Sequence, residues 1–225
     1  YHVDTKVVLQ PGNTSGPVSA SPPVVQLQLG ATRTYTWPVI DPDGDPVTCR
    51  HGTAAETGFA NPIPAVPANN KVPVLASQPN ACELSWDLSQ AVAGQRYVLH
   101  IIYESTHDGQ ISSTALDLIV EIVTPPPPTC AGGGVFVKDV GSNLTAMLTG
   151  THNLATNLTV TAIDKPATAT LTPGGNGPSP FTNTFSWTPA LADAGKTFIV
   201  LVNYTNLTNL TGTCFLTVQV PQCID

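Results

Sequence analysis

Residues 86–97 of the chain read Trp-Asp-Leu-Ser-Gln-Ala-Val-Ala-Gly-Gln-Arg-Tyr, and residues 187–198 read Trp-Thr-Pro-Ala-Leu-Ala-Asp-Ala-Gly-Lys-Thr-Phe. The two stretches align without a gap, and the same offset continues beyond them. It matches two aromatic positions, a turn glycine and a downstream tyrosine: Trp86 with Trp187, Tyr97 with Phe198, Gly94 with Gly195 and Tyr103 with Tyr204. Because self-similarity at a fixed spacing indicates a repeated structural unit, the chain is predicted to hold two copies of one domain.

Length and composition agree with this organisation. The chain has 225 residues, enough for two domains with separate cores, and 41% of them are hydrophobic. Only 10% are charged, while Thr, Ser, Asn, Pro and Gly are abundant, which is typical of sheets joined by turns. The formal net charge is −7 without any basic cluster, so nucleic acid and anionic membranes are excluded as partners. No apolar run reaches the ~18 residues that a membrane span requires.

Hydrophobic alternation predicts short strands throughout, and no segment has a helical period. In the first copy the predicted strands are residues 24–29, 33–40, 47–51, 83–88, 96–104 and 114–123. In the second copy they are residues 135–140, 157–163, 169–171, 183–187, 197–204 and 214–220. The prediction is therefore an all-β chain of two sandwiches.

Proline-rich segments mark the boundaries between these units. Residues 1–23 are predicted to form an N-terminal strand and tether, residues 24–124 the first sandwich, and residues 130–225 the second. Residues 125–129 hold a run of four prolines. Proline restricts φ and lacks an N–H donor, so this linker is expected to adopt polyproline II, a semi-rigid spacer.

The repeated motif has a counterpart in known proteins. The stretch from Trp187 to Phe198, followed by an alternating strand, resembles the immunoglobulin-like and cadherin-like modules repeated in extracellular adhesins and in surface or filament proteins. The turn Asp41-Pro-Asp-Gly-Asp45 is similar to their turn before a strand. The resemblance covers about half of each copy and implies tandem immunoglobulin-like β-sandwiches; it specifies the fold more than the function.

Five cysteines indicate disulfides formed in an oxidising compartment. Cys49 and Cys82 bracket a proline-rich insert, residues 52–81, that the second copy lacks. A disulfide between them would close this insert.

The other three cysteines lie in or beside the second copy. Cys130 precedes its first strand and Cys214 opens its last. Since these strands run parallel as neighbours in many sandwiches of the resembled kind, Cys130 with Cys214 is the favoured pair, and Cys130 with Cys223 is the alternative. Cys223 stays unassigned, since it could also begin a further repeat.

The N-terminal segment falls outside the strand set of the first copy. Residues 2–10 alternate in a way that predicts a strand with one apolar face. The residues on that face are Val3, Thr5, Val7 and Leu9. Because an unpaired sheet edge is a template for another strand, residues 2–10 are hypothesised to complete the sheet of a neighbouring molecule and build a homopolymer. The alternative is an extra edge strand on the chain's own domain.

The acidic turn of the first copy is a candidate metal site. Asp41, Asp43 and Asp45 place carboxylates at alternate positions, which suits oxygen-seeking Ca²⁺. The EF-hand pattern fails, because its glycine is misplaced and its bidentate Glu is missing. Calcium is therefore the one candidate cofactor, and an Asp-Gly turn with solvated carboxylates is the alternative.

Six Asn-x-Ser/Thr sequons make N-linked glycans the expected modification. They are Asn13, Asn143, Asn157, Asn203, Asn206 and Asn209. Five of them lie in the second half of the chain. Since the chain has few charges, a glycan coat would supply surface hydration. The protein is therefore expected to be extracellular, secreted or at the cell surface, with a leader already removed.

No sequence pattern points to catalysis. The five histidines lack metal-ligand spacing, and nucleophile-elbow, phosphate-loop and dinucleotide motifs are missing, so the chain is predicted not to be an enzyme. Trp86 and Trp187 occupy equivalent strand ends and are predicted to lie in the two cores. Trp37 has no counterpart in the second copy and is the aromatic residue expected to make an exposed contact.

These observations lead to two main hypotheses about function. The first is a structural protomer of an extracellular glycosylated fibre or surface filament, assembled by strand addition or domain packing between copies. The second is a spacer or ligand-binding fragment of a larger adhesin or receptor ectodomain. A carbohydrate-binding module is a third class, which requires exposed aromatic residues that the sequence does not identify.

Overall fold

The chain folds as two compact units that divide within the proline run. The computed structural model describes residues 3–154 and 156–222, the side chains of residues 3 and 4 excepted. The first unit, domain 1, is Tyr1–Pro126, and the second, domain 2, is Pro127–Asp225. Among the described residues, no helix has the length and apolar character needed to cross a membrane.

Domain 1 is built from strands and one helical turn. They are β1 (Val3–Lys6), β2 (Val18–Ser19), β3 (Val24–Gln28), β4 (Thr32–Ile40), β5 (Val47–His51), α1 (Ala54–Thr57), β6 (Val74–Gln78), β7 (Ala81–Asp87), β8 (Arg96–His107) and β9 (Gln110–Val123). One sheet has the order β2-β4-β7-β6, and the other has the order β1-β9-β8-β5 with β3 also paired to β9. This is the strand order of an immunoglobulin-like sandwich whose first strand is divided between the two sheets.

Strand β1 lies on its own domain. It pairs antiparallel with β9, from Val3 opposite Leu116 to Lys6 opposite Ser113. Strand β3 pairs in parallel with the remainder of β9, from Val24 opposite Ile119 onward. Together β1 and β3 cover the outer edge of β9, so the structure has the intramolecular arrangement, the second of the two alternatives for this segment.

The described side chains of residues 5–10 do not form the predicted apolar face; residue 2 and the side chain of Val3 lie outside the described part of the chain. Leu9 is 75% exposed, Thr5 is exposed and Val7 is half-buried. The strand is short because the chain leaves β9 after Lys6. Alternation over nine residues therefore overestimated the length and the burial of this strand.

Domain 2 repeats the same plan. Its strands are β10 (Thr129–Ala131), β11 (Gly134–Val137), β12 (Leu144–Thr151), β13 (Asn157–Ile163), β14 (Thr170–Thr172), β15 (Gly175–Pro178), β16 (Phe181–Trp187), β17 (Thr197–Thr205) and β18 (Thr211–Gln219), with a 3₁₀ turn at Leu191–Asp193. The sheets have the orders β10-β12-β16-β14 and β11-β18-β17-β13-β15. Both domains are thus immunoglobulin-like, which confirms the predicted fold class.

Glycines allow the first strand of domain 2 to cross from one sheet to the other. Gly132 has a φ of +99°, and a Cβ there would overlap the carbonyl oxygen of Met147. A Cβ on Gly133 would overlap the carbonyl oxygen of Phe215. The chain passes between two backbones at this point, so a side chain has no room.

The two repeated tryptophans lie in the two cores, as predicted. Trp86 and Trp187 are 1% and 2% exposed. Each meets the aromatic residue at the start of the following strand edge-on, Tyr97 at 4.9 Å and Phe198 at 4.8 Å between ring centroids. The sequence repeat is therefore a repeat of one packing contact.

The expectation for Trp37 was wrong. Trp37 is only 1% exposed, and its Nε1 donates a hydrogen bond of 2.8 Å to the hydroxyl of Tyr103. The cross-strand register makes Leu148 the equivalent residue in domain 2, since each lies four positions after the residue opposite the repeated tryptophan. Trp37 therefore fills the core position of domain 1 that Leu148 fills in domain 2.

Both predicted disulfides are present, and each joins the two sheets of its domain. Cys49 on β5 is bonded to Cys82 on β7, at a sequence separation of 33. Cys130 on β10 is bonded to Cys214 on β18, at a separation of 84. Cys223 lies outside the described residues.

The insert of domain 1 is ordered by contacts with the sandwich. Trp86 Nε1 donates to the carbonyl of Lys71 at 2.9 Å, and His51 Nε2 lies 3.2 Å from the carbonyl of Pro73. The helical turn α1 has a capping box between Thr53 and Glu56. The prediction missed α1 because one turn is too short to show a helical period.

Five strands were also missed, β2, β6, β10, β12 and β15. Four of them have only two to five residues, too few for alternation to be recognised. β12 was detectable, because its buried and outward residues alternate along all eight positions.

Candidate functional site

The described strands of domain 2 contain no charged residue. The charged side chains of the described part of this domain lie in turns and loops: Lys138, Asp139, Asp164, Lys165, Asp193 and Lys196. Sheets exposed to water ordinarily carry polar and charged residues on the outward positions. Here the outward positions carry hydroxyl groups instead.

The sheet β10-β12-β16-β14 presents a face that we call the hydroxyl face. It consists of Thr129, Thr145, Thr149, Thr151, Thr170, Thr172, Thr182, Thr184 and Ser186, together with Ala131 and Met147. These residues alternate with buried core residues, so their side chains project from the outer side of the sandwich. The missed strand β12 supplies four of them, which is why the sequence prediction overlooked this surface.

Cross-strand pairing turns the hydroxyl face into a regular grid. Met147 lies opposite Thr184, which lies opposite Thr172 on the next strand. Thr149 lies opposite Thr182, and their hydroxyl oxygens are 2.9 Å apart. Met147, near the middle, is 66% exposed.

This face can be covered at low electrostatic cost. Removing a charge from water costs several kcal/mol per ion, whereas a hydroxyl can exchange its water for a protein partner. Threonine methyl groups also contribute apolar area. The hydroxyl face is therefore suited to contact with another uncharged protein surface.

The sheet β1-β9-β8-β5 of domain 1 differs, because ion pairs cross its outer positions. Arg50 lies 2.8 Å from both Glu56 and Glu104, and Arg96 lies 2.9 Å from Glu121. Hydrogen bonds from Arg50 lower the pKa of Glu56 to about 2. These groups keep the surface of domain 1 hydrated.

Hydrogen bonds within domain 1 engage much of the acidic turn, the candidate calcium site. The Asp43 carboxylate accepts hydrogen bonds from the backbone N–H groups of Thr14 and Ser15, at 2.7 and 2.8 Å. It also accepts from their hydroxyls, at 2.9 and 2.6 Å. Three of these hydrogen bonds end on Oδ2 and one on Oδ1, so most of the lone pairs of the Asp43 carboxylate are in use.

The other two carboxylates of the turn are engaged in part. Asp41 is 6% exposed, and its Oδ1 accepts from the backbone N–H of Asp43 at 2.9 Å, while its Oδ2 is buried without a hydrogen-bond partner among the described residues. Asp45 lies 2.9 Å from Nδ1 of His107, and this hydrogen bond raises the pKa of the imidazole. The part of the chain that the structure describes has no cluster of three or more His, Cys, Asp or Glu side chains placed to hold a metal.

The acidic turn has a structural role in holding the N-terminal segment. The hydroxyl of Ser15 is the main cause that lowers the pKa of Asp43 to about 2. Gln10 Nε2 donates to the carbonyl of His107 at 2.9 Å, and Val8 N–H donates to the hydroxyl of Ser112 at 3.0 Å. Residues 8–15 are thus bound to their own domain at several points.

The six sequons fall into two groups. Asn13 and Asn206 are buried, at 1% and 7% exposure. Asn143, Asn157 and Asn209 are exposed, and Asn203 is half-buried on the outer side of β17. The sequence motif alone does not separate the groups, because Asn13 also contacts Ser112 and Asn206 also contacts His152, both distant in the chain.

Comparison with known proteins adds the following. No protein-family model matches the chain, and no curated protein matches it in sequence. Among solved structures, the chain is similar to the N-terminal Ig1-2 module of the Drosophila receptor protein tyrosine phosphatase DLAR, with 11% identity, 91% of this chain and 98% of that chain covered, and a TM-score of 0.33.

Two further solved structures show similarity of the same order. One is a tandem pair of titin Ig domains, with 9% identity, 92% and 98% coverage and a TM-score of 0.31. The other is the sialic acid binding region of a Streptococcus sanguinis adhesin, with 13% identity, 92% and 78% coverage and a TM-score of 0.32. At these TM-scores the assignment of each domain rests on its own strand order.

Proposed function

We propose that this pair of immunoglobulin-like sandwiches is a non-catalytic, glycosylated extracellular protein. It acts as a structural protomer of a fibre or surface filament and associates with copies of itself through the hydroxyl face of domain 2. The observation that carries the proposal is the absence of any charge from the described strands of domain 2, on a face where nine hydroxyl residues surround Met147.

Two further features support an extracellular structural role. Each domain has one disulfide between its sheets, and such bonds persist in oxidising compartments. The titratable side chains of the acidic turn are used in hydrogen bonds that hold the fold together. This is the pattern of a structural element, and it supports a non-catalytic protein.

The charge distribution favours a second copy as the occupant of the hydroxyl face. The chain carries a net charge of −7, and most of its acidic residues lie in domain 1. Two copies therefore repel each other mainly through domain 1. An uncharged face lets like chains approach without desolvating ions. A face that packs against the same face of a second copy closes a dimer, so growth into a fibre requires that the hydroxyl face contact a different surface of the next copy.

Domain packing is the better supported route of assembly. Strand addition would require β1 to leave β9 and residues 8–15 to give up their hydrogen bonds to domain 1. Packing through the hydroxyl face requires no rearrangement of the fold.

The second candidate function is a spacer or ligand-binding part of a larger adhesin or receptor ectodomain. The observation that favours it is the insert of domain 1, where Phe59, Val72 and Val74 are 70%, 46% and 60% exposed. Exposed apolar residues on a disulfide-closed loop are suited to binding another protein. In this case the chain itself would remain monomeric.

Sedimentation velocity over a wide concentration range, with negative-stain microscopy of the same samples, tests the proposal. Met147→Lys places a charge within the hydroxyl face, and Thr161→Lys places the same charge on an exposed position of β13 in the other sheet. The wild type and Thr161→Lys should assemble, and Met147→Lys should stay monomeric. A monomeric wild type at all concentrations, or equal assembly of both variants, would overturn the proposal.

A further inference from the structure

The sequons of domain 2 differ in what their amide nitrogens contact. N-linked glycosylation joins a sugar to the asparagine Nδ2, so this atom must face solvent in the folded product. Its neighbours in the structure therefore indicate which sequons tolerate a glycan.

Asn206 is the centre of the turn between β17 and β18. Its Oδ1 accepts hydrogen bonds from the N–H of Thr208 at 3.0 Å, from the hydroxyl of Thr208 at 2.9 Å and from the N–H of Leu210 at 2.9 Å. These bonds fix the orientation of the amide, so Nδ2 must lie on the opposite side. There it lies 3.2 Å from Nε2 of His152, in buried surroundings.

Asn13 is enclosed in the same way in domain 1. Its Nδ2 donates to the carbonyl of Val8 at 2.8 Å, and Ser112 Oγ lies 3.4 Å away. The residue is 1% exposed. A sugar on this nitrogen would displace the segment that Asn13 connects to β9.

The remaining sequons present their amides differently. Asn143, Asn157 and Asn209 are exposed. Asn143 Nδ2 faces the hydroxyl of Thr145, in its own sequon, at 3.1 Å. Asn203 uses Oδ1 to accept from Thr213 at 2.7 Å, and its side chain projects from the outer side of β17, opposite the core residues Val202 and Tyr204.

We propose that N-glycans are attached at Asn143, Asn157, Asn203 and Asn209, and that Asn13 and Asn206 are unmodified structural residues. The donor is a lipid-linked oligosaccharyl diphosphate. The bond between the sugar C1 and the diphosphate oxygen breaks, a bond from Nδ2 to C1 forms, and the amide loses one proton as the lipid diphosphate leaves. No oxidation or reduction occurs.

This distribution places the glycans mainly on one side of domain 2. Asn157 and Asn203 lie on the outer side of the sheet β11-β18-β17-β13-β15, and Asn209 lies in the turn between β17 and β18. Asn143 directly precedes β12, and its Oδ1 accepts from Ser186 at 3.2 Å, so it lies at the rim of the hydroxyl face. The rest of the hydroxyl face carries no sequon.

The experiment is glycopeptide mapping by mass spectrometry of the chain secreted from a eukaryotic host behind a cleavable leader. Folded, soluble material should carry glycans on the four proposed asparagines and none on Asn13 or Asn206. A glycan on either buried asparagine, or a bare asparagine at any of the four proposed sites, would overturn the inference.

A matched pair of variants gives a second readout. Thr159→Ala and Thr208→Ala each remove one exposed threonine and one sequon, those of Asn157 and Asn206. Thr159→Ala should lower the intact mass by one glycan, while Thr208→Ala should leave the glycan mass unchanged. Loss of a glycan in Thr208→Ala, or its retention in Thr159→Ala, contradicts the assignment. The result is independent of self-association, so either proposal can fail without the other.

Discussion

Trp37 and Tyr103 join the two sheets of domain 1 through a hydrogen bond of 2.8 Å between buried side chains. Trp37 lies on β4 and Tyr103 on β8, and both are essentially inaccessible to water. In domain 2 the equivalent Tyr204 instead donates to the carbonyl of Leu148 at 3.0 Å. The repeat thus keeps the tyrosine and changes its partner.

Removing the Tyr103 hydroxyl should destabilise domain 1. In Tyr103→Phe, the indole N–H of Trp37 loses its acceptor in a buried site, which costs about 1–3 kcal/mol. Tyr204→Phe is the matched control. In that variant the group that loses its partner is the carbonyl of Leu148, and a carbonyl tolerates a missing hydrogen bond better than an N–H does. Urea unfolding, monitored by tryptophan fluorescence, measures the stability of both variants. Equal losses in the two variants would contradict the role given to Trp37.

The two disulfides should contribute unequally to stability. By the loop-entropy relation, the loop of 33 residues corresponds to about 3.7 kcal/mol and the loop of 84 to about 4.6 kcal/mol. We expect the double Cys→Ser variant at Cys130 and Cys214 to lose more stability than the variant at Cys49 and Cys82. Chemical denaturation measures this order. Peptide mapping of native protein should show both bonds, and free thiols at these positions would contradict the structure.

The contact between Asp43 and residues 14–15 should weaken at low pH. The folded pKa of Asp43 is lowered to about 2, below an unfolded value of about 3.9. The contribution of Asp43 to the free energy of unfolding is therefore complete above about pH 4 and is lost as the pH falls towards 2. The energy is small because the carboxylate is exposed.

Carboxyl NMR titration tests this prediction. Asp43 should titrate near pH 2, and Asp43→Asn should accelerate amide exchange at Thr14 and Ser15 at neutral pH. Adding Ca²⁺ should leave the signals of this turn unchanged. A Ca²⁺-dependent shift confined to the turn would show that the four donors do not exclude a cation.

Asn206 should matter for stability even without any glycan. In unglycosylated protein, Asn206→Gln moves the acceptor away from Thr208 and Leu210, and we expect a loss of about 1–3 kcal/mol. Asn157→Gln is the control, since Asn157 is exposed and the change should stay within about 0.5 kcal/mol. Thermal unfolding compares the two. A loss for Asn157→Gln as large as that for Asn206→Gln would contradict the structural role of Asn206.

Much of the fold followed from local patterns in the sequence. The repeat around Trp86 and Trp187 predicted two like domains, because an aromatic residue, a turn glycine and a second aromatic residue recur wherever the same packing contact recurs. Alternation located most of the longer strands, since successive side chains of a strand point to opposite faces. The disulfides followed from the insert in one copy and from the resemblance to known sandwiches in the other.

The candidate site was only partly predictable. The threonines of β12 were visible as an alternating segment, but only the pairing of β12 with β10 and β16 assembles them with other threonines into one face. The lack of charge on that face was visible only once the strands were known. A sequence motif for such a surface does not exist, because its members come from four separate strands.

The sequence by itself thus determined the class of fold, the repeat, the pairing of Cys49 with Cys82 and the set of candidate sequons, whereas the structure chose Cys214 as the partner of Cys130. Tertiary structure alone decided that Trp37 is buried against Tyr103, that Asp43 binds Thr14 and Ser15, and that β1 lies on its own domain. The physical reason is that alternation and turn chemistry act between neighbours in the chain, whereas burial and hydrogen-bond satisfaction depend on groups that only folding brings together. Asn13 is enclosed by Ser112, nearly a hundred positions away, and no local pattern records that contact.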